Sequence, residues 1–165
     1  LELDLDAVGE ALASFRGVGR RLELVARPRG VAVVDDYAHH PTEVAAGLQA
    51  LRSEYAPRRL WCVFQPHQHS RTRRFLDQFA RVLATADRVV IPEIYAARDA
   101  EEDRRAVSGA DLAAAVRTLG GDAVHLADFR SIVDFLRPQL RAGDVVVTMG
   151  AGDVGDVAGR LAETL

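Results

Sequence analysis

The sequence predicts an α/β domain with three layers, in which helices cover both faces of a mostly parallel sheet of about six strands. From residue 31 onward, short apolar runs alternate with amphipathic stretches of helical length, the pattern of strands joined by crossover helices. The run Asp144 to Met149 is nearly continuous valine, as expected of a strand buried on both faces. The turn signal Arg27-Pro28-Arg29-Gly30 predicts an N-terminal hairpin that adds one antiparallel strand.

The first elements are a short helix and the hairpin. Residues 1–15 begin with alternating leucines and continue as a helix whose apolar face comprises Val8, Leu12 and Phe15. Because the sequence begins directly with a pattern typical of ordered structure, we expect it to be part of a longer chain. Two strands follow, Arg21 to Ala26 and Val31 to Asp35.

The middle of the chain predicts two helix–strand units. A helix begins at Pro41, a residue suited to the first helical position, and runs to about Tyr55. The strand Leu60 to Phe64 follows, and then a helix from Arg71 to Ala84 with phenylalanines and leucines at helical spacing. The strand Arg88 to Ile91 ends this part, and the polar residues 92–107 read as a loop whose charged run is a solvated excursion.

The last third predicts three helices and two strands. Ser108 with Asp111 reads as a capping box for a helix that ends near Gly120-Gly121. The strand Ala123 to Ala127 precedes a helix from Phe129 to Leu140, in which Pro138 should kink or fray the last turn. After the valine strand, Gly150-Ala151-Gly152 turns into a final helix.

Composition excludes several classes of protein. The chain has 165 residues and a formal net charge of -3, which argues against a general nucleic-acid or membrane-surface binder. The sequence contains no apolar run of membrane-spanning length and no signal-peptide pattern. The single cysteine, Cys62, excludes an internal disulfide and fits a reducing cytoplasm.

All 21 basic residues are arginine. A Walker-type phosphate loop with its lysine, a Schiff base and a lysine general base are therefore excluded for this chain. Any phosphate or carboxylate that it binds must be held by arginine forks, backbone N–H groups or a metal.

The segment Asp35 to Glu43, Asp-Asp-Tyr-Ala-His-His-Pro-Thr-Glu, is the most informative, because it lies at a join between a strand and a helix. Such joins at one edge of a parallel sheet face a common crevice. Asp35 and Asp36 could bind ribose hydroxyls or Mg²⁺, with helix capping as the structural alternative. His40 is the expected N-cap residue, and Glu43 suits the first turn for structural reasons.

The segment Gln65 to Arg74 lies at the next strand-to-helix join. Arg71 directly follows the loop and is the best candidate for a fork on a carboxylate or phosphate, whereas Arg73 and Arg74 are expected in solvent. Four histidines could suggest zinc, but hydrogen bonding to a polar ligand suits their spacing better: His39, His40, His67 and His69. Three further roles are predicted from weaker signals. Arg20 and Arg21 could bind an anion, residues 150–153 could form an anion-binding nest, and His125 is expected to be structural.

Four segments in this order resemble the C-terminal domain of the Mur ligases, and in particular the branch that joins L-alanine to UDP-N-acetylmuramate. They are Phe15 to Glu23, Asp35 to Glu43, Phe64 to Thr72 and Thr148 to Asp153. The likeness covers essentially the whole chain. A branch that ligates a recycled tripeptide shares the Asp-Asp-Tyr/Phe-Ala-His-His-Pro run but normally lacks the Phe-Gln-Pro-His block, and ranks second.

The resemblance implies a Rossmann-like domain of a cytoplasmic, three-domain, ATP-dependent ligase of bacterial peptidoglycan synthesis. Residues 1–15 would be the tail of the central domain and residues 16–165 the C-terminal domain. The N-terminal domain would hold the UDP-sugar, and the central domain would hold the ATP phosphates and Mg²⁺. ATP would convert the muramoyl carboxylate into an acyl phosphate, which the alanine amine attacks. Because two domains are absent, the fragment alone is expected to be inactive.

The resemblance also implies residue roles. Arg21 would lie near the nucleotide phosphates and Asp36 near the ribose. The L-alanine would be surrounded by Tyr37, His39, His67 and Arg71, with Arg71 pairing its carboxylate. Many relatives carry arginine at the position of Gln68, so a second carboxylate clamp is missing here or supplied elsewhere. Two alternatives from other classes are a nucleotide- or anion-binding module without turnover and a purely structural α/β domain.

Overall fold

The computed structural model describes residues 4–14 and 17–165, without the side chain of Ala11. Predictions that involve Leu1, Leu3, Phe15 and Arg16 lie outside the described residues. The described helices are α1 (Leu5–Ser14), α2 (Pro41–Tyr55), α3 (His69–Arg74), α4 (Leu76–Leu83), α5 (Glu101–Ala106), α6 (Gly109–Thr118), α7 (Phe129–Leu136) and α8 (Gly155–Thr164). The strands are β1 (Glu23–Ala26), β2 (Ala32–Asp36), β3 (Leu60–Phe64), β4 (Arg88–Ile91), β5 (Ala123–His125) and β6 (Val145–Met149).

The six strands form one sheet in the order β1-β2-β6-β3-β4-β5. Only the β1–β2 pair is antiparallel, so the predicted fold class is confirmed. The register aligns the last residue of β6, Met149, with Asp36 on one side and Phe64 on the other. The two polar segments that follow β2 and β3 therefore leave the sheet at the same edge, on either side of β6.

Helices cover both faces of the sheet, and two apolar cores result. Side chains of α2, α4 and α6 pack on one face and those of α7 and α8 on the other. Successive residues of β3 alternate between the two cores: Cys62 faces the first, whereas Trp61 and Val63 face the second. This alternation follows from the two-residue period of a strand and explains why β3 and β6 are apolar throughout.

Several predicted elements differ from the structure. The strands β1 (Glu23–Ala26) and β5 (Ala123–His125) are each two residues shorter than predicted. The helix predicted from Arg71 to Ala84 is two helices, because Phe75 leaves the helical conformation at φ -112° and ψ 17°. The predicted end of α7 at Leu140 is wrong, because the helix stops at Leu136, two residues before Pro138. Part of the loop predicted over residues 92–107 is helical, as α5. Within the described residues, no helix has both the length and the apolarity that crossing a membrane requires.

Candidate functional site

The N-terminus of α2 is capped by residues at the start of the helix itself. His40 is the N-cap, and its Nδ1 accepts a hydrogen bond from the Thr42 amide at 3.3 Å. The Glu43 carboxylate reaches back and accepts from the amides of His39 and His40 at 2.9 and 3.1 Å. These bonds lower the pKa of Glu43 against the opposing effect of partial burial. The structural roles predicted for His40 and Glu43 match this geometry.

Asp35 is bonded entirely within the fold. Its carboxylate accepts from Arg20 Nε at 2.8 Å and from the Thr148 hydroxyl at 2.6 Å. The same guanidinium donates to the carbonyl oxygens of Gly150 and Gly152 at 2.9 and 3.1 Å. The structure therefore gives Arg20 an internal role instead of the anion-binding role suggested by its sequence position. Arg20 instead ties the start of the hairpin to the turn after β6.

Asp36 points to the other face of β2 and lines a cavity of about 330 Å³, here called the Asp36 pocket. The pocket is lined by Arg21, Leu22, Asp36, Ala38, Glu43, Ala46, Gly47 and Ala50. One oxygen of Asp36 accepts from the Ala38 amide at 3.1 Å. Burial raises the pKa of Asp36, and the Ala38 amide and the charge of Arg21 counteract part of this rise. The pocket thus combines a buried carboxylate with an exposed guanidinium.

Gly47 allows α2 to approach this carboxylate closely. A Cβ at position 47 would lie 3.0 Å from Asp36 Oδ2 and 2.8 Å from the Met149 methyl group. The glycine in the middle of the helix is therefore explained by packing against the Asp36 pocket.

Tyr37 and His39 lie on the crevice side of the same turn. The Tyr37 ring is partly exposed and lies 5.2 Å from the Arg20 guanidinium and 5.6 Å from that of Arg21. Its edge contacts His39 at a centroid distance of 5.4 Å. The Nδ1 atom of His39 lies 3.0 Å from the Tyr37 carbonyl oxygen, which fixes the orientation of the imidazole.

His67, from the turn after β3, meets His39 across the end of β6. The two rings are 6.2 Å apart, and the other side of His67 stacks on Tyr95 at 5.4 Å and 14°. The Nδ1 atom of His67 is buried and has no hydrogen-bond partner among the described residues. Burial and the nearby charges of Arg71 and His39 lower the pKa of His67 below its usual value near 6.5. The imidazole is therefore neutral at physiological pH.

Arg71 lies in the first turns of α3, close enough for its charge to lower the pKa of His67. Its Nη1 atom is buried and lacks a partner among the residues that the structure describes. A buried donor of this kind costs stability unless a ligand satisfies it. Ring contacts connect Tyr37, His39 and His67, and Arg71 is near enough for its charge to act on His67; these four residues are together called the imidazole site.

Two residues of the imidazole-site surroundings were missed by sequence reasoning. Asp99 lies in the charged run predicted to be a solvated excursion, yet its side chain is only 2% exposed. Its carboxylate bonds to His69 and Ser70 at the start of α3, and Tyr95 stacks on His67. The available signal was positional, since residues 92–99 follow β4 at the same sheet edge.

Several other candidates have structural roles. His69 pairs with Asp99, and His125 contacts the Ile91 carbonyl oxygen at 2.8 Å and Glu93 at 3.2 Å. Cys62 is fully buried, and burial raises the pKa of its thiol. Among the described residues, no group of three or more histidine, cysteine, aspartate and glutamate side chains is arranged to hold a metal.

The predicted anion nest at residues 150–153 is engaged by neighbouring side chains. Arg20 bonds to two of its carbonyl oxygens, and Gln65 donates to Asp153 at 2.8 Å while accepting from the Val154 amide at 3.2 Å. These contacts give the turn a supporting role at the sheet edge, and its use as an anion nest stays a prediction.

A larger cavity, of about 530 Å³, lies between α2 and α4, away from the sheet edge. Its lining is largely apolar and includes Leu48 and Val82. Arg52 at its rim is already bonded to the Thr85 carbonyl oxygen and to Asp87. The cavity has volume but lacks the convergent, unpartnered polar groups that distinguish the imidazole site.

The chain matches the model of a known family. The model of the Mur ligase, glutamate ligase domain matches residues 20–152. The match spans most of the chain, which therefore belongs to the Mur ligase family. The family predicted from the four sequence segments is confirmed.

Curated relatives within the family are UDP-N-acetylmuramate–L-alanine ligases. The Mycolicibacterium gilvum protein is 50% identical over 154 residues, which cover 92% of this chain and 31% of that protein. The Acetivibrio thermocellus protein is 43% identical over 154 residues, covering 93% of this chain and 32% of that protein. The chain thus spans about a third of the length of these relatives.

Two solved structures of Mur ligases are also similar to this chain. The UDP-N-acetylmuramate–alanine ligase of Thermotoga maritima superposes with a TM-score of 0.78 at 28% identity, over 98% of this chain and 33% of that one. The murein peptide ligase of Psychrobacter arcticus superposes with a TM-score of 0.72 at 26% identity, over 93% of this chain and 31% of that one.

Proposed function

We propose that this chain is the C-terminal domain of an ATP-dependent ligase that joins L-alanine to UDP-N-acetylmuramate in bacterial peptidoglycan synthesis. The observation that supports this proposal best is that two nitrogen atoms, Arg71 Nη1 and His67 Nδ1, are buried and have no hydrogen-bond partner among the described residues. An α-amino acid is a zwitterion, so its site must offer a cationic donor for the carboxylate and a neutral acceptor for the ammonium group. The two side chains provide this combination within one site.

Arg71 binds the carboxylate of L-alanine in this proposal. A guanidinium is a permanent charge with donors in a fixed fork, so it sets the direction of the amino acid as well as its affinity. Since Nη1 is shielded from solvent, the charge-assisted bond is less weakened by water than one at the surface would be.

His67 lies where the amine would be held. Its lowered pKa favours the neutral imidazole, so a ring nitrogen can accept a hydrogen bond from the alanine amine and orient it for attack. His39 and Tyr37 narrow the same space from the α2 side. Fixing the amine in position beside the activated carboxyl group supplies much of the rate of such reactions.

The Asp36 pocket is proposed to hold part of the nucleotide, with Asp36 toward the ribose hydroxyls and Arg21 toward the phosphates. Its residues fit that role, because a buried carboxylate accepts hydroxyl hydrogen bonds and an exposed arginine attracts phosphate. ATP supplies the activation of the muramoyl carboxylate as an acyl phosphate. We assign Mg²⁺, most phosphate contacts and the UDP-sugar site to the other domains of the full-length, cytoplasmic enzyme, with residues 1–15 as the tail of the central domain.

The test is phosphate release by the full-length protein supplied with ATP, Mg²⁺ and UDP-N-acetylmuramate. Release should require L-alanine, and a tripeptide in its place should support little turnover. Turnover with only the tripeptide would instead favour the tripeptide-recycling ligase. This alternative is tested because the chain is also similar to the murein peptide ligase of Psychrobacter arcticus. Phosphate release with neither amino substrate would contradict both.

The site assignment is tested by Arg71→Ala in the same protein. Loss of a buried charge-assisted bond should raise the alanine KM by about tenfold or more, while the ATP KM stays nearly unchanged. Arg73→Ala is the matched control, because Arg73 is an exposed arginine of the same helix. An unaltered alanine KM in Arg71→Ala removes Arg71 from the site.

The nucleotide assignment is tested by Asp36→Ala, which should weaken ATP binding with little effect on the alanine KM. Binding is measured by titration of the full-length protein with a non-hydrolysable ATP analogue. Unchanged affinity would separate the Asp36 pocket from the nucleotide.

A further inference from the structure

We propose that Tyr95 and Asp99, on the loop that follows β4, are positioning residues of the amino-acid site, which hold His67 and Arg71 in place for L-alanine. This inference rests on the proposed function and extends it to residues that do not themselves touch the amino acid. The segment Pro92 to Asp99 is called the Tyr95 loop.

Tyr95 fixes His67 from behind. The rings stack at 5.4 Å, and the backbones of the two residues pair as a parallel bridge. The Tyr95 amide donates to the Pro66 carbonyl oxygen, and the Tyr95 carbonyl oxygen accepts from the Gln68 amide, both at 2.9 Å. The loop thus behaves as a short additional strand along the turn that carries His67.

The Tyr95 ring also packs on the turn after β6. A Cβ at Gly152 would lie only 2.7 Å from the ring carbon Cδ2 and 2.5 Å from Gln65 Oε1. The ring therefore fills the space between His67 and the Gly152 backbone. Tyr95 is still 41% exposed, but the stack on His67 and the contact with Gly152 restrict the rotation of its ring.

Asp99 fixes the start of α3. One carboxylate oxygen contacts the His69 amide and, at 3.0 Å, His69 Nδ1. The other accepts from the Ser70 amide at 3.3 Å and from the Ser70 hydroxyl at 3.0 Å. Arg71 is the next residue of the helix, so these bonds set where its guanidinium begins.

Helix α3 needs this support because its own sequence does not provide it. It has six residues, and the N-cap residue Gln68 makes no side-chain capping bond and has a φ of 73°. A helix this short is unstable alone, and its own first turn contains no acidic residue to favour the positive end of the helix dipole. A carboxylate at the helix start counteracts both effects.

The experiment uses the full-length protein with Asp99→Ala and Asp99→Asn. Asp99→Ala should raise the alanine KM by about tenfold, because a displacement of the order of an ångström at a binding group has effects of this size or larger. The KM for ATP should stay near the wild-type value. Asp99→Asn retains one acceptor oxygen and should lie between Asp99→Ala and wild type.

Asp103→Ala is the control for charge and loop stability. Asp103 belongs to the same acidic stretch but pairs with exposed Arg73 at 3.4 Å, so its loss should leave both KM values unchanged. Equal increases in the KM for alanine and ATP in Asp99→Ala would indicate general destabilisation and would overturn the positioning role.

Tyr95 is tested by Tyr95→Phe and Tyr95→Leu. Phenylalanine keeps the ring stacked on His67 and should preserve the alanine KM, whereas leucine should raise it. Equal KM values in the two variants would overturn the role of the ring.

A crystal structure of the full-length Asp99→Ala protein gives a readout that does not depend on the substrate. Arg71 should be displaced in it, and an unmoved Arg71 overturns the inference. If the wild-type protein shows no alanine-dependent phosphate release, the proposed function fails, and the displacement still decides whether Asp99 positions Arg71.

Discussion

The starts of α2 and α3 lie side by side at the carboxyl edge of the sheet, and they are stabilised in different ways. α2 is 15 residues long and is capped by His40 and Glu43 within its own first turn. α3 is six residues long and is capped by Asp99, thirty positions further along the chain. The same need for acceptors at a helix start is met locally in one case and remotely in the other.

The difference divides the site into two parts with different dependence on the rest of the molecule. The Asp36 pocket is formed by the β1–β2 hairpin region and α2, which are adjacent in sequence. The imidazole site also needs the Tyr95 loop and the turn after β6. Disturbing distant residues should therefore affect the amino-acid side more than the nucleotide side.

The largest expected effect is that of Gly152→Ala. A methyl group there would overlap the Tyr95 ring and Gln65 Oε1, so His67 should lose its support and the alanine KM should rise by about 100-fold.

Gly47→Ala is the counterpart at the Asp36 pocket. Its methyl group meets the movable end of Met149 and Asp36, so it should raise the ATP KM severalfold. Steady-state kinetics of the two full-length variants give both constants, and matching changes in both would contradict the division.

The second prediction concerns acid stability. Hydrogen bonds from His69 and Ser70 outweigh burial and lower the pKa of Asp99 from 3.8 to about 2. A carboxylate whose pKa is lowered by folding stabilises the folded state at pH values above its pKa in the unfolded chain. This stabilisation is lost as the pH falls from about 4 to about 2. Asp99→Asn should therefore lower the free energy of unfolding by about 2 kcal/mol at pH 7.

Urea unfolding of wild type and Asp99→Asn at several pH values measures this difference. It should shrink as the pH falls toward the pKa of Asp99. A difference that stays constant down to pH 2 would mean that the variant acts through packing instead of charge.

The smallest effect is expected from the local cap. Glu43→Ala removes an acceptor from the amides of His39 and His40, and a lost cap costs about 1 kcal/mol. Because the Glu43 side chain is 41% exposed, water can replace part of what is lost. Urea unfolding at pH 7 measures the change, and a loss larger than that of Asp99→Asn would reverse the proposed ranking of the two caps.

The elements that could be predicted from sequence are those whose causes lie within a few residues. The helix Pro41–Tyr55 and the strand Leu60–Phe64 have their predicted bounds, because a proline start, a period and an apolar run are local signals. The capping box of Ser108 and Asp111 is confirmed for the same reason. The break at Phe75 was not predicted, because the apolar spacing continues across it.

Within the candidate site, the sequence allowed side chains to be proposed but not the residues that support them. Arg20 and Arg21 are identical neighbours in the sequence, yet Arg20 bonds to Asp35 and two carbonyl oxygens whereas Arg21 lines the Asp36 pocket. Arg20 has a φ of 57°, a left-handed conformation that no local pattern here signals. Likewise, the contact of Asp99 with α3 depends on the return path of a loop.

The burial of Cys62 has a practical consequence for labelling this domain. The thiol is wholly enclosed in the sheet and resists ionisation, so maleimide dyes should not reach it in the native state. The chain also lacks lysine side chains that would compete for amine reagents. A cysteine placed at exposed Arg73 could then be labelled with a thiol reagent without labelling Cys62.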